Sequence, residues 1–173
     1  MNSSKKIEYI SNWINEYAVG LNFQPASLII GVSGGIDSAV TSTLCAKTGL
    51  NTIAISMPIK QNSSQHDLSL KHLDWLKSKF KNVQTKIIDL DAVFQSFENT
   101  LKEFKNSLAF ANSRSRLRMV TLYQVAQANK GIVVGTGNKV EDFGVGFYTK
   151  YGDGGVDISP IADCTKTDVW NIG

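Results

Sequence analysis

Eight consecutive residues, Gly31-Val-Ser-Gly-Gly-Ile-Asp-Ser38, carry the clearest chemistry in the chain. They follow an apolar run, Leu28 to Val32, and precede a stretch that reads as helix. A strand, a serine/glycine turn and a helix N-terminus together form an anion site. Glycines let backbone N–H groups approach a phosphate with no Cβ in the way, and the helix dipole favours negative charge. Ser33 and Ser38 add hydroxyl donors. Asp37 conflicts with this, because a carboxylate repels a neighbouring phosphate; a divalent cation between the two resolves the conflict. The plainer alternative is a tight turn with Asp37 capping the helix.

A second concentration of charge is Arg114, Arg116 and Arg118, the only arginines in the sequence. Clustered guanidinium forks suit phosphate or carboxylate recognition. On a helix Arg114 and Arg118 share a face, whereas Arg116 lies about 200° around from each. Arg116 and Arg118 are therefore badly placed to hold one phosphate together. A solvated basic helix face is the alternative, and for Arg114 it is the preferred one. Two common phosphate motifs are excluded. No lysine follows Gly34-Gly35 as a P-loop requires, and Val140 replaces the third glycine of a dinucleotide fingerprint in Gly135-Thr-Gly-Asn-Lys-Val140.

These groups need a scaffold. Ile7, Ile10, Ile14, Tyr17 and Leu21 recur at helical spacing, and Leu28 to Val32 follows as a strand. Next come a helix over 38–47, a strand over 52–57, a helix over 64–80 and a strand over 83–88. Phe94, Phe97, Leu101, Phe104 and Leu108 predict one long helix. A further helix over 113–129, apolar on more than one side, is expected to be largely buried. A strand over 131–134, a mostly irregular stretch over 135–163 and a helix beginning near Thr165 complete the pattern. Strands alternating with helices predict an α/β fold, a doubly wound parallel sheet of Rossmann-like type, with ligands beyond the carboxyl ends of the strands.

The 173 residues suit one domain, 42% of them hydrophobic and 19% charged, as is ordinary for a globular protein. A net charge of +3 is too small to argue for nucleic acid. The opening Met1-Asn-Ser-Ser-Lys-Lys lacks an apolar leader core, and no apolar run approaches membrane-spanning length. Cys45 and Cys164 have no metal or redox spacing, and Cys45 is expected to be buried. His66 and His72 are expected on a helix surface, not as ligands. The expectation is a cytoplasmic protein with reduced thiols and no membrane partner.

The string Ser33-Gly-Gly-Ile-Asp-Ser38 resembles the pyrophosphatase loop of the ATP-dependent adenylating ligases and amidotransferases, which split ATP between its α and β phosphates. Asn112-Ser-Arg-Ser-Arg-Leu-Arg-Met119 resembles the N-x-x-A-R-x-R-M motif of the NAD synthetase family, with Ser115 in place of alanine. Gly135-Thr-Gly-Asn-Lys-Val-Glu141, Thr149-Lys-Tyr-Gly-Asp-Gly-Gly-Val-Asp157 and Pro160-Ile-Ala-Asp-Cys-Thr-Lys166 resemble three more motifs of that family.

The resemblance implies a ligase that joins ammonia to deamido-NAD at the expense of ATP, with Mg²⁺ held by Asp37 and Glu141. It implies that Gly31, Val32, Ser33, Gly34, Gly35, Ile36, Asp37 and Ser38 cradle ATP, with Met57, Arg118, Thr136 and Lys166 as further ATP contacts. Asp37 and Lys166 would serve catalysis, and Arg116, Lys150, Asp153 and Asp157 would contact deamido-NAD. Met57 is equally consistent with plain core packing, and Glu141 taken alone with a first-turn helix acid. The family implies a homodimer, in which Phe94, Phe97 and Phe104 pack at the interface or, alternatively, within the chain's own core. The chain has no room for a glutamine-cleaving domain, so free ammonia, or ammonia from a separate subunit, is the implied donor. It ends at Gly173 inside a helix, and the family implies further residues, so low turnover of this piece alone is expected. GMP-forming or tRNA-thiolating ligases of the same superfamily, and an inactive nucleotide-binding fragment, are the alternatives.

Overall fold

A computed structural model describes residues 2–60 and 63–173. Its elements are α1 (Ser3–Gly20), β1 (Ser27–Gly31), α2 (Ile36–Lys47), β2 (Thr52–Ser56), α3 (Ser63–Lys79), β3 (Val83–Ile87), α4 (Asp91–Thr100), α5 (Ser107–Ala128), β4 (Gly131–Val134) and α6 (Lys166–Ile172). The four strands form a parallel sheet in the order β3-β2-β1-β4, with Ile29 opposite both Ile53 and Val133. The doubly wound α/β expectation holds.

Side chains alternate between the two faces of the strands, and each face has its own core. Leu28, Ile30, Ala54, Ile132 and Val134 meet residues of α1, α2, α3 and α6, among them Ile14, Leu44, Leu76 and Val169. Ile29, Ile53, Ile55 and Val133 meet Phe94 of α4 and Met119, Leu122 and Ala126 of α5. Strand order reverses between β1 and β4, and at such a reversal a parallel sheet opens a crevice above its carboxyl ends.

Local signals start the helices. Asn2 Oδ1 accepts from the Lys5 N–H at 3.0 Å and Asn106 Oδ1 from the Ala109 N–H at 2.9 Å. Thr165 and Asp168 form a reciprocal capping box on α6. Lys6 also pairs with Asp168, tying α6 to α1. No helix among the described residues is long and apolar enough to cross a membrane.

Three sequence expectations change. The helix expected over Phe94–Leu108 is broken: α4 ends at Thr100, a 3₁₀ turn covers Lys102–Phe104, and the Asn106 cap starts α5 six residues earlier than expected. The aromatic spacing is helical only as far as Phe97. Phe94 is fully buried, Phe97 is 42% exposed and Phe104 73% exposed, so the three do not form one docking face. Phe94 and Phe97 instead surround Phe110, with ring centroids 6.2 and 6.5 Å away, and the Arg114 guanidinium lies 5.6 Å above the Phe94 ring. Second, α5 is not largely buried: only Met119, Leu122 and Ala126 are. Third, His72 is not a plain surface residue. Its Nε2 lies 2.9 Å from Ser42 Oγ, and burial pulls its pKa down. Cys45 is buried as expected, its thiol pushed up to about 12 by desolvation.

Replacing Phe94 by alanine is expected to cost about 3–5 kcal/mol in urea unfolding, whereas Phe104→Ala stays within about 0.5 kcal/mol. A similar loss at both positions would contradict the break between α4 and α5. Lys6 and the Thr165 hydroxyl and N–H hold the Asp168 carboxyl at about 2. The stability it contributes is present above its ordinary value of 3.8 and disappears as pH falls through about 2. Asp168→Asn is expected to be less stable than wild type above about pH 3.8, with the difference shrinking as pH falls through about 2, measured as urea midpoints at stepped pH.

Candidate functional site

The turn after β1 is closed by its own side chains. Ser38 Oγ donates to the Gly35 carbonyl at 2.9 Å and accepts from the Ser33 N–H at 3.2 Å; Ser33 Oγ accepts from the Gly35 N–H at 3.3 Å. Ser38 is buried, so it shapes the loop, and the first-turn amides of α2, which have no intrahelical acceptors, are the donors offered to an anion. Gly34 has φ +90°, and a Cβ there would lie 2.3 Å from the Gln65 carbonyl oxygen. Both the backbone conformation and the close approach of α3 demand glycine.

Beside this loop, Lys166 bridges two acids. Its ammonium binds Asp37 Oδ2 and, at 3.1 Å, Glu141 Oε1. Burial alone would lower the Lys166 pKa, but hydrogen bonds to and the charges of Asp37 and Glu141 outweigh it, so the pKa is raised. Asn138, fully buried, donates from Nδ2 to Asp37 Oδ1 at 3.1 Å and accepts the Val140 and Glu141 N–H groups on Oδ1 at 3.0 and 3.1 Å. It fixes the two carboxylates relative to each other across a π-helical turn, Val140–Gly144. Desolvation, then the charges of Asp153, Glu141 and Asp37, raise the Asp142 pKa. The corner is thus rich in acid, with one ammonium serving two carboxylates. Among the described residues no three His, Cys, Asp or Glu side chains cluster as a metal cage. A hard cation here would draw its other ligands from phosphate and water, the manner in which magnesium is usually held.

Between the ends of β1 and β4 lies a cavity of about 340 Å³. Gly31, Val32 and Ser33 form one side and Gly135 and Thr136 another; Ser115, Arg118 and Asp153 contribute the polar wall. Met57 is both buried and cavity-lining, its Cε 3.3 Å from where a Gly31 Cβ would be, so the core and ligand readings of Met57 are compatible. Arg118 Nε donates to the Met57 carbonyl at 2.9 Å. Desolvation, and then Arg114, lower the Arg118 pKa. Neither Arg118 nor Arg116 has a carboxylate partner among the described residues. A partly buried guanidinium facing a cavity under these conditions favours an anionic ligand.

Other expected site residues are arranged differently from one another. Ile36 turns its side chain away, toward a second cavity of about 240 Å³ near Ile172 and Gly173, and only its backbone faces the loop. Arg116 Nε donates to the Lys150 carbonyl at 3.0 Å, and the Lys150 ammonium sits 5.1 Å over the Tyr151 ring. Asp153 Oδ1 accepts from Ser115 Oγ at 2.6 Å and from the Thr149 N–H at 3.0 Å. Asp157 spends both oxygens on the fold: Oδ2 accepts the Val133 N–H at 2.7 Å and Oδ1 the Tyr123 hydroxyl at 3.0 Å. Desolvation and the Asp157 charge push the Tyr123 phenol up to about 12, so it stays a donor. Sequence reasoning missed Asn138 and Ser115 as structural partners of the site. Asn138 lies inside the Gly135–Glu141 string, three residues before Glu141, and that membership was the available signal.

An all-parallel α/β sheet, with a glycine–serine anion loop and an acid-lysine cluster at its strand-order reversal, defines a domain of nucleotide-binding architecture. A family model described as NAD synthase matches residues 6–173, and the chain belongs to the NAD synthase family. It is 42% identical to the NH(3)-dependent NAD(+) synthetase of Saccharolobus solfataricus across 95% of this chain and 57% of that protein. It is 35% identical to the enzyme of the same name from Finegoldia magna across 99% of this chain and 68% of that protein. Among solved structures, NMN synthetase from Francisella tularensis superposes with a TM-score of 0.90 and 32% identity, covering 100% of this chain and 70% of that one. The NH3-dependent NAD synthetase of Campylobacter jejuni, in complex with nitrate, gives 0.88 and 29%, covering 99% and 72%. The chain thus spans somewhat over half to about seven-tenths of the relatives it matches.

Gly34→Ala is expected to weaken binding of a phosphate-bearing ligand at this loop by tenfold or more, about 1.4 kcal/mol, because it strains the loop against Gln65. Gly20→Ala, where a Cβ meets nothing within 4 Å, leaves binding unchanged. Calorimetric titration of both variants checks this, and equal affinity at Gly34→Ala would remove the steric argument.

Proposed function

We propose that this chain carries the adenylating site of an ammonia-dependent ligase that converts deamido-NAD, ATP and ammonia into NAD, AMP and pyrophosphate. The observation that carries the reading is the single cavity whose walls come from the phosphate loop on one side and from Ser115, Arg118 and Asp153 on the other. Two ligands approaching from those walls meet over the end of β1. Family membership sets aside the GMP-forming and tRNA-thiolating alternatives.

A nicotinate carboxylate is a poor electrophile, because oxide leaves badly. Its oxygen attacks the α-phosphorus of ATP, the bond to the bridging oxygen breaks, and pyrophosphate leaves with that electron pair. The product is a mixed acyl-phosphate anhydride. Ammonia then adds to the acyl carbon, AMP departs, and the nitrogen loses a proton to leave the amide. No protein nucleophile is required. The residues position two anions and neutralise charge. In this reading the α2 amides and Thr136 face ATP, and Arg118 contributes to the ATP side from the opposite wall. Arg116, Lys150 and Asp153 are placed on the dinucleotide side, with Asp157 holding that segment to β4. Asp37 and Glu141 would hold a magnesium ion, which would supply charge neutralisation on the phosphates. Lys166, which bridges the same two carboxylates, would add its positive charge on the pyrophosphate side. A homodimer belongs to the same proposal, with support from Leu108 and Val120, both exposed on α5.

The similarity to an NMN synthetase favours a second reading, in which the deamidated mononucleotide is the carboxyl substrate. Incubation with ATP, magnesium, ammonium and either carboxylate distinguishes them. The expected outcome is equimolar amide, AMP and pyrophosphate, with the dinucleotide preferred and Asp37→Ala reducing kcat by about 100-fold or more. Release of ADP and phosphate instead, or full activity of Asp37→Ala, would overturn the reading.

A further inference from the structure

Ser115 stands where the family motif has alanine, and its hydroxyl joins α5 to residues 149–153. Ser115 Oγ donates to Asp153 Oδ1 at 2.6 Å and accepts the Asp153 N–H at 3.0 Å. The same carboxylate oxygen takes the Thr149 N–H at 3.0 Å. One turn earlier on α5, Asn112 Oδ1 accepts from Thr149 Oγ1 at 3.0 Å, and Arg116 Nε donates to the Lys150 carbonyl at 3.0 Å. Residues 112, 115 and 116 share one helix face by their spacing. Gly152 approaches so closely that a Cβ there would lie 2.4 Å from Ser115 Oγ.

Little else holds this segment. Its remaining backbone bonds among the described residues are internal: Gly152 N–H and Gly154 N–H to the Thr149 carbonyl at 2.9 and 3.3 Å, and Gly155 N–H to the Gly152 carbonyl at 2.9 Å. Phe147, Tyr148 and Tyr151 are exposed. A segment with few apolar contacts and exposed hydrogen bonds opens easily unless side chains pin it. Ser115 supplies two of the pins, one of them to a charged acceptor, the stronger kind.

We propose that Ser115 is a positioning residue: it clamps Asp153, and with it residues 149–155, on the side of the cavity assigned above to the nucleotide that carries the carboxyl group. Asp153 lines that cavity, and its Oδ2 accepts no hydrogen bond among the described residues, so it is left for a ligand hydroxyl or N–H. An alanine preserves the close packing against Gly152 but supplies neither bond. The choice of ligand rests on the ligase reading above; the clamp itself does not.

The test compares the full chain with Ser115→Ala and Ser115→Thr, using amide exchange and separate titrations with deamido-NAD and ATP. Ser115→Ala is expected to speed exchange at Thr149 and Asp153 by about tenfold or more, with the β1 amides unchanged. It is also expected to weaken deamido-NAD about tenfold while ATP stays within about twofold, and Ser115→Thr restores both. Unchanged exchange at Thr149 and Asp153, or equal weakening of ATP, overturns the clamp. Faster exchange in a protein that binds no deamido-NAD even as wild type supports the clamp and overturns the ligase reading instead.

Discussion

A parallel sheet cannot close its own strand ends, and everything at this site follows from where that constraint is left uncovered. β1 pairs with β2 on one side and β4 on the other. The crossovers leaving β1 run outward to β2 and β3, whereas β4 is reached from β3 across the opposite edge. At this reversal no connection passes over the carboxyl ends, so a crevice remains. The phosphate loop rises from one lip and the Gly135–Asn138 segment from the other. Their separation is set by the β1–β4 hydrogen bonds, and α5 closes the back of the crevice through Met119 and Leu122. A shift in the sheet would move both ligand walls at once.

Electrostatics divides the crevice into two poles. Asp37, Glu141 and Asp142 lie at one, where Lys166 pairs with Asp37 and Glu141, and Asn138 holds the Asp37 carboxylate and the Glu141 N–H. Arg118, partly desolvated and bonded only to a carbonyl, faces the other. Neither pole is balanced internally. A phosphate chain accompanied by a cation complements both, and either one alone leaves a pole uncompensated. The charge distribution therefore supports the phosphate-binding part of the ligase proposal.

The scaffold was largely legible in the sequence because its signals are local. Apolar runs bounded by turn residues gave the four strands, and strand–helix alternation gave their parallel arrangement. The aromatic spacing after Phe94 was misleading for a physical reason. Helical periodicity continued past Thr100, but the chain tightened into a 3₁₀ turn and Asn106 offered a stronger helix start. Tertiary packing then separated residues that the pattern had joined, with Phe94 in the core and Phe104 in solvent. The apolar character of α5 was likewise real, but only one stripe of it meets the sheet.

What the sequence determined by itself is the Gly31–Ser38 loop, because a strand, glycines and a helix N-terminus build it from neighbouring residues. It also placed Asp37, Glu141, Arg118 and Thr136 at strand ends and on one helix. Only the tertiary structure decided how these groups are shared. Lys166 reaches Asp37 across 129 residues and Ser115 reaches Asp153 across 38. Asp157 turned out to hold β4 and Tyr123, while Asp153, four residues earlier, lines the cavity. Both aspartates lie in the same glycine-rich string, and residue type cannot separate them. The difference comes from which turn of α5 each one meets, at Ser115 or at Tyr123, once the sheet has brought the two segments together.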